Sequence, residues 1–342
     1  METTNPQLSV IVPMYNAASM IRRCLEPLLG MLDRGEIKEI IVVNDGSTDQ
    51  SAEVVASIPR VQLIRTPAQS GPGAARNLGA ELASGSHLWF VDSDVIVTPE
   101  SARVIRSALC ETGAGAVFGC YDDHPAALNF LSQYKNLVHR YYHARGKEDA
   151  STFWAGCGAV ERGLFRELGG FDAQRYRYPS IEDIELGYRI VDAGRRIVLR
   201  SDLQGKHLKE WRLRNLLHTE VFRRAIPWSD LMLERKHLTN DLNVGTGERV
   251  RAALSLAWLL AILAWLVGLA PGWVAPAGLL ACLAANLDLI RFFATRRGAL
   301  FAERAFLYHQ FYYVYSSAAF VYSTLPHLIS SPRKAFVPPR LP

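Results

Sequence analysis

Two aspartates stand almost side by side at the end of an apolar run. In HLWFVDSDVIV, residues 87–97, only Ser93 separates Asp92 from Asp94. Burying two unpaired carboxylates would be very costly, and placing them together adds repulsion. Carboxylate oxygens are ligands that hard cations such as Mg²⁺ and Mn²⁺ prefer. The segment therefore predicts a site for positive charge, and the alternative is that the two acids only cap a turn or a helix.

Polar side chains follow other apolar runs of the N-terminal half in the same way. Four short runs predict buried strands: LSVIVP, EIIVV, VQLIRT and HLWFV. Helical patterns at residues 18–32 and 73–84 lie between them, and this alternation predicts βαβ units with a mostly parallel sheet. In such sheets ligands bind beyond the carboxyl ends of the strands. The polar clusters that begin at Pro13, Asn44 and Asp92 should therefore converge on one cleft.

The positive charge of the chain is concentrated in one segment. The formal net charge is +5, and residues 203–236 alone hold eight Lys or Arg against four acids. Such a local excess favours a surface contact over a nucleic-acid binder of general positive charge. Within it, residues 206–228 fit a basic amphipathic helix that lies on anionic headgroups until Pro227 interrupts it. The alternative is a helix packed on the preceding domain with solvated charges.

Three stretches with few or no charges follow from about residue 249. Residues 252–269 are long enough for a membrane-spanning helix, and residues 273–290, weakened by Asn286 and Asp288, form a second candidate. The tyrosine-rich residues 305–329 form a third. Arginines beside the first two candidates place both flanks in the cytoplasm, and a third span would conflict with the basic tail. We expect two or three spans; the alternative is a set of buried helices in a soluble domain.

Six motifs within residues 6–200 together resemble family 2 glycosyltransferases with the GT-A fold. They are, in chain order, SVIVPMYNA, EIIVVNDGSTD, GPGAARNLGAELASG, HLWFVDSD, AGCGAVERGLFRELGGFD and EDIELGYR. The resemblance implies an α/β, Rossmann-like domain with a mostly parallel sheet over residues 1–205. We expect a basic amphipathic membrane-interface segment at 206–248, two to three transmembrane helices at 249–330 and a tail at 331–342.

The resemblance also implies roles on the donor side. Asp94 would bind a divalent cation, Mn²⁺ or Mg²⁺, that bridges the diphosphate of a nucleotide sugar, with Asp92 as a second ligand or a ribose contact. Asp45 would accept a hydrogen bond from uracil, unless it only caps a helix. Arg76 would lie near the pyrophosphate, unless it is an ordinary surface arginine. The residues expected to bind the nucleotide sugar are Pro13, Tyr15, Asn16, Asp45, Arg76 and Asp92.

The acceptor side of the resemblance rests on the ED motif. Asp183 would deprotonate the acceptor hydroxyl in an inverting transfer, and Glu182 would orient the acceptor. Without the resemblance, two acids that open a helix would be interpreted as partners of the helix dipole. The residues expected to line the acceptor side are Trp154, Gly156 and Gly158.

Two features after the ED motif refine this interpretation. His207 would be a further metal ligand or a diphosphate contact, and the alternative is a structural histidine. Processive members of the family carry a QxxRW motif, whereas Gln204 is here followed by Gly-Lys-His. This difference favours the addition of a single sugar.

The predicted function is that of a multi-pass glycosyltransferase of the inner membrane with its catalytic domain in the cytoplasm. It would move one sugar, with inversion, from a nucleotide-sugar donor such as a UDP-sugar to a lipid or lipid-linked acceptor. Two alternatives stay open. A degenerate, non-catalytic domain would act as a binding partner in a membrane complex, although all the acids are present. A nucleotidyltransferase would need a Gly-rich phosphate loop near the N-terminus, which SVIVPMYNA lacks.

Overall fold

In the computed structural model the chain forms two compact units, Met1–Trp211 and Arg212–Pro342. The structure describes residues 5–235 and 242–328. The tail predicted at 331–342 lies outside the described residues. The finer domain boundaries expected from the sequence stay predictions.

Nine strands in the described part of the first unit form one mixed sheet. They are β1 (Leu8–Met14), β2 (Glu39–Asn44), β3 (Val61–Arg65), β4 (His87–Val91), β5 (Val95–Val97), β6 (Ala116–Tyr121), β7 (Asp149–Ala150), β8 (Cys157–Glu161) and β9 (Ile197–His207). Their order is β3-β2-β1-β4-β8-β6-β9-β5, and β7 also pairs with β9. The first four strands pair in parallel, as do β6 and β9, whereas β8 runs antiparallel to both of its neighbours. The predicted α/β fold with a mostly parallel sheet is confirmed.

Seven helices in the described part of the same unit pack on this sheet. They are α1 (Ile21–Asp33), α2 (Ser51–Ala56), α3 (Pro72–Leu82), α4 (Ser101–Thr112), α5 (Phe130–Arg145), α6 (Arg162–Glu167) and α7 (Glu182–Asp192). The helical patterns at 18–32 and 73–84 correspond to α1 and α3. Gly79 lets α3 lie close to the sheet, because a Cβ at this position would be 2.6 Å from Ile11 Cγ2. The close contact fixes where α3, which carries Arg76, meets the strand ends.

The second unit is helical in its described part. Its helices are α8 (Leu213–His218), α9 (Ile226–Glu234), α10 (Thr246–Leu266), α11 (Val274–Ala285), α12 (Leu287–Arg297) and α13 (Ala299–Leu328), with a short 3₁₀ turn at Leu242–Val244. A π-helical segment, Thr219–Ala225, joins α8 directly to α9.

Pro227 does not end the predicted basic helix, in contrast to the expectation from the sequence. The helix continues past it and widens to the π-helical form just before the proline. A proline inside a helix has no N–H to donate, and its ring collides with the carbonyl four residues earlier. The wider turn accommodates both defects. Ile226, Trp228 and Leu231 are buried, and α9 packs against α13.

One helix of the described residues, α10, is long and apolar enough to cross a membrane. Helices α11 and α12 meet at an angle of 69° and would count as a second candidate only if the pair is one broken span. The third predicted span, 305–329, falls mostly within α13, where tyrosines, His309 and Gln310 lower the apolar character. At most two candidates therefore remain in the described part of the chain, and the expected multi-pass topology is not supported.

Candidate active site

The turn between β4 and β5 carries Asp92 and Asp94. The N–H of Asp92 donates to the carbonyl of Gly156 at 3.1 Å, and the N–H of Val95 donates to the carbonyl of Asp92 at 2.9 Å. The carbonyl of Asp94 accepts from the N–H of Leu208 at 2.8 Å. The turn is therefore tied to the residues beside β8 and β9, which fixes the backbone from which both carboxylates project.

Asp94 and His207 form a close pair because β5 and β9 are neighbouring antiparallel strands. Val95 lies opposite His207 in that ladder, and His207 Nε2 lies 3.5 Å from Asp94 Oδ2. The imidazole is 4% exposed and stacks on Tyr121, with ring centroids 4.4 Å apart. Burial alone would raise the pKa of Asp94, but His207, Lys209 and a backbone hydrogen bond together outweigh burial and lower it. The carboxylate is thus kept in its charged form.

Arg76 is buried and lies among three acids, of which Glu182 is buried and Asp92 and Asp183 are half-buried. Its terminal nitrogens donate to Asp92 Oδ1 at 2.6 Å and to Glu182 Oε1 at 3.0 Å, and its guanidinium lies 5.5 Å from the ring centre of Phe171. Burial alone would lower the pKa of Arg76, but the charges of Asp92, Glu182 and Asp183 raise it. Burial raises the pKa of Asp92, against the pull of the guanidinium. The surface-arginine alternative is excluded, since Arg76 is buried and bridges two carboxylates.

The two acids of the ED motif open α7 and have different surroundings. Glu182 is buried, and its Oε2 accepts from the N–H of Ser180 at 2.9 Å while Oε1 binds Arg76. Asp183 is half-buried, and its Oδ2 accepts from the N–H of Ala155 at 3.1 Å. Of the two predicted catalytic acids, Asp183 is therefore the one that a bound ligand can reach.

Asp45, predicted to contact the base, holds a loop of the protein itself. Its Oδ1 accepts from the hydroxyl of Thr66 at 2.9 Å and from the N–H of Ser70 at 2.8 Å. Its Oδ2 accepts from the N–H of Gly71 at 2.8 Å, and the side chain is buried. Both oxygens therefore fix the loop that leads into α3.

A polar network joins the ends of β1 and β2. The side-chain oxygen of Asn16 accepts from the N–H of Thr48 at 2.8 Å, and the N–H of Asn16 donates to Ser47 Oγ at 3.0 Å. Asn16 has a φ of 50°, in the left-handed region that asparagine tolerates. The adjacent Tyr15 is 46% exposed, so its ring is free to stack on a ligand, whereas Pro13 is buried within β1.

Trp154 precedes β8 and packs in an aromatic cluster. Its ring meets Tyr121 edge-on, with centroids 4.9 Å apart, and lies 4.7 Å from the ring of His139. A Cβ on Gly156 would be 2.5 Å from the indole ring, and one on Gly158 would be 2.5 Å from the Trp154 carbonyl. The two glycines therefore make room for Trp154 itself, and their contact with an acceptor stays a prediction.

Sequence reasoning missed the aromatic residues that surround His207. Tyr121 ends β6 and contacts both His207 and His139, and His143 stacks on His139 with ring centroids 3.7 Å apart. None of these residues lies in a recognised motif. The run AVFGCYDD, an apolar strand that ends in polar residues, is the same signal that marked the other strand ends and would have pointed to Tyr121.

The expected metal ligands Asp94 and His207 lie side by side. Among the described residues, no three His, Cys, Asp or Glu side chains lie close enough together to hold a metal ion. Asp94 and His207 nevertheless offer an anionic oxygen and an imidazole nitrogen 3.5 Å apart, while Asp92 shares one oxygen with Arg76. These donors fit a divalent cation that takes its remaining ligands from a bound diphosphate.

The first unit also matches known proteins in sequence. Residues 9–169 match the family described as Glycosyl transferase family 2. The matched segment, 161 of the 342 residues, has the sequence pattern of that family. The family 2 segment includes Asp45, Arg76 and the Asp92–Asp94 turn, whereas the ED motif and His207 follow it in the chain.

Curated relatives match this chain over part of their length. The uncharacterized glycosyltransferase YibD of Escherichia coli strain K12 is 43% identical over 115 residues, which are 32% of this chain and 32% of the relative. The validoxylamine A glucosyltransferase of Streptomyces hygroscopicus subsp. jinggangensis is 30% identical over 217 residues, or 54% of this chain and 51% of the relative. The matched segments thus span a third to a half of these relatives.

A solved structure shares the fold of this chain. The mannosyltransferase PcManGT from Pyrobaculum calidifontis, in complex with GDP-Man and Mn²⁺, aligns with a TM-score of 0.57 at 20% identity. The alignment covers 94% of this chain and 88% of that one. The chain therefore has the GT-A fold followed by a helical region.

Proposed function

We propose that the protein is an inverting glycosyltransferase that moves one sugar from a nucleotide sugar to a lipid or lipid-linked acceptor. The observation that carries this proposal is the Asp94–His207 pair beside the Arg76 cluster, in a chain whose residues 9–169 match family 2. We further propose a UDP-sugar as the donor and the cytoplasmic face of the inner membrane as the location.

Asp183 is the proposed base. An acceptor hydroxyl attacks the anomeric carbon as its proton passes to the Asp183 carboxylate, while the bond from the anomeric carbon to the diphosphate oxygen breaks. The Ala155 N–H, 3.1 Å from Asp183 Oδ2, orients that carboxylate. Glu182 is a positioning residue in this proposal, because its ion pair with Arg76 anchors the first turn of α7.

The donor side is assigned to the strand ends. The exposed ring of Tyr15 stacks on the base, and Asp45 shapes the neighbouring loop through its three hydrogen bonds. Asp94 and His207, with Asp92 beside them, would hold a Mn²⁺ or Mg²⁺ ion. When bound, such an ion would act as a Lewis acid that stabilises the charge of the departing nucleoside diphosphate. The presence of GDP-Man and Mn²⁺ in the solved mannosyltransferase of similar fold supports this assignment.

Attachment to a membrane is proposed through the second unit. Helix α10 is long and apolar enough to insert, and its large apolar side chains are mostly exposed. Arginines that flank the apolar stretch favour anionic headgroups on the cytoplasmic side. Holding the enzyme at the bilayer would raise the local concentration of a lipid acceptor.

The proposal is tested by donor turnover in lipid nanodiscs that contain lipid extract. Nucleotide sugars are screened for release of nucleoside diphosphate, with and without Mn²⁺, for the parent protein, Asp94→Asn and Asp183→Asn. We expect one donor to be used in a metal-dependent way, and Asp183→Asn to lower the rate by about 10²–10⁴-fold because the base is lost. Asp94→Asn should remove most of the response to Mn²⁺.

Asp33→Asn is the matched control. Asp33 lies at the end of α1 and is 64% exposed, so its amide variant should retain the parent rate. Full activity in Asp183→Asn would contradict the assigned base. Failure of a folded parent protein to use any donor would favour the non-catalytic binding partner instead.

A further inference from the structure

Helices α10 and α11 form an antiparallel hairpin with a consistent register. Trp258 Nε1 donates to the carbonyl of Ala275 at 3.0 Å. A Cβ on Gly278 would lie 3.4 Å from Trp258 Cα, so the two helices approach closely there. Nearer the tip, a Cβ on Gly272 would lie 3.4 Å from Trp265 Nε1. The chain therefore runs towards the tip of the hairpin along α10 and returns from it along α11.

Charged and polar groups lie at the end of this hairpin that is opposite its tip. Arg251, near the start of α10, donates to both oxygens of Asp288 at 2.9 and 3.1 Å. It also pairs with Glu248 at 3.0 Å. The hydroxyl of Tyr313 donates to Glu248 at 2.6 Å and lies 3.3 Å from Asn286 Oδ1. We call these five residues the basal polar layer.

Beyond the basal polar layer the hairpin is apolar. Residues 256–281 contain no charged residue and no Ser, Thr, Asn, Gln, His or Tyr. Ser255, the last polar residue of α10, donates to Gln310 at 2.6 Å. At the tip, Val267 and Trp273 are both 69% exposed and Leu269 is 83% exposed. Exposure of such an apolar surface to water is unfavourable, whereas its contact with the acyl chains of a bilayer is not.

The length of the hairpin limits how far it reaches. Arg251 and the last residue of α10, Leu266, are separated by fifteen residue steps in the helix, which is about 22 Å at 1.5 Å per residue. The hydrocarbon core of a bilayer is about 30 Å thick. Arg251 and Asp288 form an ion pair at the end of the hairpin opposite its tip. Charged side chains cannot enter the hydrocarbon without a large cost in free energy. The tip therefore stops short of the opposite aqueous phase.

We propose that residues 252–287 form a re-entrant hairpin whose tip lies in acyl chains and whose two ends lie on the same face of the membrane. The inference rests on the proposed membrane attachment and replaces full membrane crossing by partial insertion. Arg249, Arg291 and Arg296 lie close in sequence to the basal polar layer and favour contact of that end with anionic headgroups.

The test is labelling of a cysteine at the tip with a membrane-impermeant maleimide. Leu269→Cys and the control Leu128→Cys, which lies in the first unit and is 87% exposed, are made in a Cys110→Ser background. Cys110 is the exposed native cysteine, and the other four are buried. Labelling is compared in intact bacterial spheroplasts, in lysed membranes and after denaturation in SDS. The label on the Cys110→Ser protein under each condition is subtracted, so that the SDS value gives the total for the introduced cysteine.

We expect no labelling of either variant in intact spheroplasts. In lysed membranes we expect full labelling of Leu128→Cys and loss of labelling for Leu269→Cys. Labelling of Leu269→Cys in intact spheroplasts would show that the hairpin crosses the bilayer. Its labelling in sedimented lysed membranes would place the tip in water, and crosslinking of Leu269→Cys into dimers would show that a second copy covers it. Each of these three results would overturn the re-entrant hairpin and leave the proposed transfer reaction untouched.

The same experiment separates this inference from the proposed membrane attachment. Recovery of the full-length protein in the soluble fraction would contradict attachment itself. Donor turnover is measured independently, so a failed hairpin topology leaves the proposed transfer reaction unaffected.

Discussion

Arg76 is the residue on which the charge balance of the active site depends. It is buried and touches both Asp92 and Glu182. Removal of one member of a buried ion pair leaves an uncompensated charge in a low-dielectric setting. The guanidinium therefore has a structural role that a contact with the donor pyrophosphate alone would not require.

We expect Arg76→Met to destabilise the first unit by about 3–5 kcal/mol, because Glu182 would lose its counter-charge. The free energy of opening of β4, measured by native-state hydrogen exchange, reports on this unit. Arg34→Met is the control, since the Arg34–Glu36 pair lies at the surface, and it should leave that free energy close to the parent value. Equal effects of the two substitutions would contradict the central role of Arg76.

Substitution of Asp45 distinguishes a role in holding the loop before α3 from a role in contacting the base of the donor. In Asp45→Asn one acceptor oxygen becomes an NH₂ group that faces a backbone N–H, at a cost of about 1–3 kcal/mol. We expect faster hydrogen exchange at the amides of Ser70 and Gly71, with Asp33→Asn as the unchanged control. Unaltered exchange together with weaker donor binding would instead show that the carboxylate serves the base directly.

At the scale of elements, glycines determine how closely loops approach the sheet and helices. Gly71 precedes α3 with a φ of 91°, a conformation that is almost restricted to glycine. A Cβ there would lie 2.2 Å from the carbonyl oxygen of Arg177. The entry into α3 therefore depends on the absence of a side chain as well as on backbone freedom.

Gly71→Ala should lower the melting temperature of the first unit more than Gly169→Ala. Gly169 also has a positive φ, 76°, but a Cβ there would meet nothing within 4 Å, so only a backbone cost of about 1–2 kcal/mol is expected. Gly71→Ala adds a backbone clash to that cost. The comparison is made by differential scanning calorimetry, and equal shifts would argue that the loop moves away without penalty.

The elements that were predictable from the sequence are those with a periodic apolar pattern. LSVIVP and HLWFV became β1 and β4 because buried parallel strands need continuous apolar runs. The antiparallel insertion of β8 and the pairing of β5 with β9 depend on long-range register, which local patterns do not encode. The π-helical turn before Pro227 was likewise not predictable, since sequence rules place only a break there.

At the scale of the whole molecule, the chain combines a family 2 unit with a helical unit that has a large exposed apolar surface. Motifs identified Asp92, Asp94 and Asp183 because acids at strand and helix ends are visible in a sequence. The aromatic cluster around Tyr121 and the ion pairs of Arg76 were not visible, because each joins residues from distant segments. Glu182 is buried against Arg76, and its expected role beside the acceptor stays a prediction.

Transfer should depend on the surface concentration of acceptor if the helical unit holds the enzyme at a bilayer. We expect the rate to fall when lipid extract is diluted with inert phosphatidylcholine in nanodiscs at constant bulk concentration. Transfer of labelled sugar into lipid is the measurement. Hydrolysis of the donor by water is the internal control, and its rate should not change. A transfer rate that stays the same as the mole fraction of lipid extract falls would contradict a lipid acceptor.

The ladder between β5 and β9 joins two segments that are distant in the sequence, and it sets the distance between Asp94 and His207. Because side chains alternate between faces, a single-residue insertion in either strand would turn Asp94 or His207 away from its partner. Loops around the sheet can change without altering that register. The spacing of carboxylate and imidazole, in contrast, is set by the strand ladder, so it should survive changes in the length and sequence of those loops.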